Sequence, residues 1–151
     1  MSSFSWGCSR LAEPSPSGNW ATSGSPTLAE IEHLAEAAFA QLPEDFRRLC
    51  DGLVVHVVDF PDEETLNEMN AESEFDLLGL FRGQGLAHQS AVRETGAPPN
   101  MIWLYRRPLL DFWCEGEDTL GAVVTHVLVH EIGHHFGLSD DDIDAIEAAA
   151  A

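Results

Sequence analysis

Residues 119 to 136 form a run whose apolar positions fit a buried helix. Leu120, Val123, Val124, Val127, Leu128, Ile132 and Phe136 cover most of its circumference. Asp118 is placed to cap its start, and Gly137 is placed to end it. A helix this apolar has to lie inside a core, so the rest of the chain must supply the elements that surround it. Its polar exceptions then need a reason. They are His126, His130, Glu131 and His134, in the run HVLVHEIGHHFGLSD.

His130 and His134 are four residues apart, so on a helix both imidazoles project from one face, one turn above the other. That spacing lets two ring nitrogens reach one tetrahedral zinc ion, at about 2.0 to 2.1 Å each. Glu131 is rotated by one residue step and flanks the metal, where it can take a proton from a zinc-bound water. This is the HExxH arrangement, with Glu131 as general base. A third ligand is available, because Gly137 can adopt a positive φ and turn the chain back sharply. Asp140 then comes within reach, completing HExxHxxGxxD, and water fills the open position of a catalytic zinc. Asp141 or Asp142 could replace Asp140 in that role, and an acidic helix cap at Ser139 or Asp140 is the purely structural alternative. His126, one turn before His130, is read as packed beside the site. His135 points elsewhere. Asp140, Asp142 and Asp144 mimic the opening of a calcium loop, but the glycine and terminal glutamate of such a loop are missing.

The remaining chain reads as one domain over 27–151 behind a disordered tail, 1–26, rich in Ser, Pro and Gly. Thr27 and Glu30 form a capping box for a helix that ends near Pro43, and a short helical turn, Glu44 to Cys50, precedes an Asp51-Gly52 turn. Leu53 to Phe60 is the best strand, with His56 read as packed within it. Pro61 to Asp76 is an acidic helix or loop anchored by Leu66 and Met69. Leu77 to Arg82 is a short strand, and residues 84–99 a long exposed loop. Met101 to Tyr105 is a second clear strand, and Pro108 to Glu115 a helix opened by its proline.

Composition narrows the partners. The 151 residues carry 26 acidic and 7 basic side chains, all of the latter Arg, for a formal net charge of −19. Such a field repels phosphate backbones and anionic lipid, so neither nucleic acid nor a membrane surface is an expected partner. It attracts divalent cations and basic peptides, although charge of this kind also simply keeps a protein soluble. Cys8, Cys50 and Cys114 are odd in number, far apart and without a CxxC pair, which points to a reducing compartment. No basic start followed by an apolar run is seen, and no apolar stretch approaches the roughly 20 residues of a membrane span. A cytoplasmic protein is expected.

The segments LPEDFRRL, LLGLFRG, MIWLYRRP and above all VLVHEIGHHFGLSDDDI resemble those of small bacterial zincin-like metallopeptidases of the minimal metalloprotease type. The resemblance spans roughly residues 28 to 147. It implies an α+β fold, a small mixed β-sheet packed with helices, with the HExxH motif on a C-terminal helix. It also implies one zinc ion at His130, His134 and Asp140, with Glu131 as catalytic acid and base, and a peptide or protein substrate. The extended motif is similar to that of metzincins, but those place a methionine turn after the third ligand, and here Met1, Met69 and Met101 all lie upstream. Zincins hold an extended peptide against an edge strand, and either Met101 to Tyr105 or Leu77 to Arg82 could supply it. Tyr105, Arg82 and His126 are the candidates for stabilising an oxyanion. The competing function is a catalytically silent zinc-binding regulatory or binding module. The small body favours that reading, and the retained Glu131 favours a peptidase.

Overall fold

The computed structural model describes residues 19–83 and 99–150. Most of the expected tail, 1–18, and the expected loop over 84–98 lie outside the described residues. Helix α1 (Leu28–Gln41) starts from the predicted capping box: Glu30 N–H donates to Thr27 Oγ1 at 3.2 Å, and Thr27 N–H donates to Glu30 Oε2 at 2.7 Å. It buries Ile31 and Ala35 and is followed by the short α2 (Glu44–Leu49), which buries Phe46. The turn into the sheet needs Gly52, whose φ of +71° an L side chain rarely adopts.

The sheet has three strands, β1 (Val54–Val58), β2 (Gly79–Arg82) and β3 (Met101–Tyr105), in the order β1-β3-β2. β3 is central. It runs parallel to β1, with Val55 opposite Ile102, and antiparallel to β2, with Phe81 opposite Ile102. The sheet is therefore mixed, as expected for an α+β fold. Between β1 and β2 lies α3 (Glu63–Glu68), capped by Asp62, which accepts from Thr65 N–H at 2.8 Å. Of the two residues expected to anchor this stretch, Leu66 is half-buried but Met69 is exposed; the buried residue of α3 is Thr65. The cap at Asp62 sets the helix phase, and that phase turns Met69 outward.

Helix α4 (Arg106–Glu115) begins two residues earlier than its proline suggests. Pro108 is the third residue of the helix, where the N–H it lacks would have had no intrahelical partner. Helix α5 (Leu120–His135) is capped by Thr119, whose hydroxyl accepts from Ala122 N–H at 3.2 Å, one residue later than the expected cap at Asp118. A sixth helix, α6 (Asp140–Ala150), closes the described chain.

The core lies between one face of the sheet and helices α1 and α5. Phe81, Ile102 and Leu104 face it from the strands, and Val123, Val124, Val127, Leu128, Val129 and Ile132 fill it from α5. Each fully buried aliphatic side chain contributes about 1.5 to 3 kcal/mol relative to exposure, so α5 is the main contributor of apolar burial. Sheet and helix approach closely at Gly79: a Cβ there would stand 2.9 Å from Val127 Cγ1. On the opposite face His56 is exposed and stacks on Trp103 at 4.8 Å between ring centroids, instead of packing within the core. No helix among the described residues is long and apolar enough to cross a membrane.

Candidate metal centre

Three histidines stand one turn apart along α5. The ring centroids of His126 and His130 are 4.0 Å apart, and those of His130 and His134 are 5.4 Å apart. The stripe they form is the polar exception on an otherwise buried helix, as the sequence pattern requires. His135 is turned away, edge-on to Phe81 with 4.6 Å between ring centroids.

The chain reverses directly after this stripe. Gly137 takes φ +75°, Gly137 N–H donates to His134 carbonyl at 3.1 Å, and Leu138 N–H donates to Gly133 carbonyl at 2.9 Å. This left-handed helix ending sends α6 back along α5. Ser139 and Asp142 then cap α6 reciprocally: Ser139 N–H donates to Asp142 Oδ2 at 3.3 Å, and Asp142 N–H donates to Ser139 Oγ at 3.2 Å. Asp142 is thereby engaged as a cap.

Because α6 returns antiparallel, its first residue meets the end of α5 and its later residues meet the middle. Asp140 Oδ1 lies 3.9 Å from His134 Nε2. Two turns further on, Glu147 Oε1 lies 2.8 Å from His126 Nδ1 and 3.9 Å from His130 Nε2. His126, His130 and Glu147 are, among the described residues, the three metal-ligand types whose donor atoms all fall within 4.8 Å of one another. Glu147 Oε1 is buried and accepts no hydrogen bond, because its short approach to His126 is not aligned for one. A buried carboxylate oxygen without a hydrogen bond is costly, and two imidazole nitrogens beside it complete a donor set suited to a cation such as zinc. The residues present therefore form a plausible His–His–Glu metal site.

The structure thus places carboxylates on both sides of His130. Asp140 was legible from the motif. Glu147 was not, because nothing in HExxHxxGxxD reaches α6; the available signal was the capping pair Ser139 and Asp142 followed by Ile143 and Ile146 at helical spacing. The field around His130 reflects both sides. Burial and the neighbouring His126 hold its pKa below the ordinary histidine value, while Glu147, and less strongly Asp140, push it back up.

Glu131 is half-buried beside this stripe. Burial raises its carboxyl above the ordinary carboxylate range, and the nearby His134 opposes that shift. Two of the three oxyanion candidates have other partners. Arg82 pairs with Glu68, and His126 lies against Glu147. Tyr105 is buried; desolvation and then the charge of Asp62 raise its pKa, and Arg82 opposes them. Of the two candidate edge strands, Met101 to Tyr105 is the centre of the sheet, so β2 is the edge on the side of α5.

No curated protein matches the chain. A family model described as zincin-like metallopeptidase matches residues 50–150, which hold the whole sheet and helices α3 to α6. That match covers more than half of the chain, and the chain belongs to the zincin-like metallopeptidase family.

Proposed function

We propose that the chain is a zinc-dependent peptidase in which His130, His134 and Asp140 hold one zinc ion and Glu131 is the catalytic acid and base. The observation that carries this reading is the position of Glu131: a half-buried carboxyl of raised pKa, one residue step from His130 and within the field of His134. A carboxyl held only for ion pairing would be expected to lie lower in pKa, beside its cation. Zinc, when bound, supplies Lewis acidity toward water and the scissile carbonyl oxygen. Glu131 accepts the proton of the attacking water and delivers it to the leaving amine nitrogen.

Strand β2 supports the positioning of a peptide. Tyr105 N–H donates to Leu78 carbonyl at 3.0 Å, so by antiparallel alternation the backbone groups of Gly79 and Phe81 point away from β3. No other described strand pairs with that side. An extended substrate adding there would be antiparallel or parallel to β2 and would lie along α5. The charge of −19 favours peptides of basic character.

The alternative, a catalytically silent zinc-binding module, draws on the His126–His130–Glu147 cluster, which gathers three donors more tightly than the motif set does. His134→Ala separates the two. In a peptidase of the proposed type it abolishes the peptide cleavage seen with the natural protein. Unchanged zinc affinity with no cleavage in either protein favours the silent module.

A further inference from the structure

We infer that His126, His130 and Glu147 form a second metal position that shares His130 with the catalytic set, so that one ion occupies either position but never both. The inference rests on the ligand set proposed above and adds to it a competing, unproductive place for the same ion.

His130 is the common member. A neutral imidazole offers one lone pair, so it can serve only one ion at a time. On the α6 side, Glu147 Oε1 is 2.8 Å from His126 Nδ1 and 3.9 Å from His130 Nε2. Donors around a single tetrahedral zinc at about 2.0 to 2.1 Å lie roughly 3.3 Å apart; the two Glu147 separations bracket that value, and all three donor atoms lie within 4.8 Å of one another. The carboxylate oxygen is buried without a hydrogen bond, which a cation would remedy and a poorly aligned contact to His126 does not. An entry route exists: a cavity of about 540 Å³ opens beside His126 and Glu147, lined also by Asp118, Phe112 and Thr125.

The second position lacks what hydrolysis needs. The second set includes neither His134 nor Asp140, the ligands that complete the catalytic set proposed above. An ion held by His126, His130 and Glu147 leaves His134 and Asp140 without metal. Partition between the two places then sets what fraction of the zinc-loaded protein is active.

The test is zinc affinity by competition with a chromophoric chelator, on the natural protein, Asp140→Asn, Glu147→Gln and the double variant, with His126→Asn as a second route to the Glu147 side. Each single variant is expected to bind one zinc within about tenfold of the natural affinity, and the double variant to lose more than roughly 100-fold. Cleavage per bound zinc should rise in Glu147→Gln and in His126→Asn. If Asp140→Asn alone removes zinc, the second position is overturned while the peptidase reading stands. If Glu147→Gln alone removes zinc and Asp140→Asn does not, the catalytic ligand set itself fails, and the competition with it.

Discussion

Gly133 and Ile143 meet where α6 crosses back over α5, and a Cβ on Gly133 would stand 2.9 Å from Ile143 Cγ1 and 3.1 Å from its Cδ1. Ile143 is fully buried and has little room to yield. This contact sets how closely α6 lies on α5, and so where Asp140 and Glu147 come to rest. Gly133→Ala gains about 1 kcal/mol of helix propensity but overpacks the crossing by about 1 to 3 kcal/mol. A net loss of stability and of zinc affinity is expected in denaturant and chelator titrations. Combining it with Ile143→Val should recover most of both, and a double variant no better than Gly133→Ala would show that the crossing is not the cause.

Arg106 ties the segment ahead of α1 to the end of β1. Its Nε donates to the Pro26 carbonyl, its guanidinium donates to Ser25 Oγ at 2.8 Å, and it pairs with Asp59 Oδ1 at 3.0 Å. Arg106→Ala should cost about 1.5 to 3 kcal/mol in urea unfolding, with Arg106→Lys recovering only part, since an ammonium cannot span three acceptors in that fork.

Cys50 is buried, and its thiol is pushed up to about 12, chiefly by desolvation and secondarily by Asp51. Cys114 is exposed. At pH 8 a maleimide should modify Cys114 and leave Cys50 intact until the chain unfolds. The raised value favours the folded state below the ordinary thiol pKa of 9.0, and that contribution is lost as pH rises toward 12. Labelling of Cys50 in the folded protein would contradict its burial.

Zinc binds neutral imidazole, so affinity should hold above neutrality and fall in acid. His130 has a depressed pKa, so it stays neutral below the pH at which an ordinary histidine protonates at 6.5. The sign is the same for the metal-free fold: His130 contributes stability above pH 6.5 that is lost as pH falls through its folded value. Chelator competition from pH 8 to about 5 checks this, and a flat profile would rule out histidine ligation.

What the sequence shows most clearly is the motif helix, because its apolar period and its polar exceptions point to one solution. Met101–Tyr105 is legible to the residue, since an apolar and aromatic run between Asn100 and the following arginines leaves little choice. Its place at the centre of the sheet was not legible, because strand order depends on long-range pairing that no local pattern encodes. Glu147 escaped for a related reason. It enters the site only through the antiparallel return of α6, which Gly137 and the Gly133–Ile143 contact set in three dimensions.

The most direct test of the account pairs zinc content with cleavage of a mixed peptide library, for the natural protein and Glu131→Gln. One zinc in each, with cleavage by the natural protein and at least about 1000-fold less by the variant, is the predicted result. Equal cleavage by both would contradict the role assigned to Glu131.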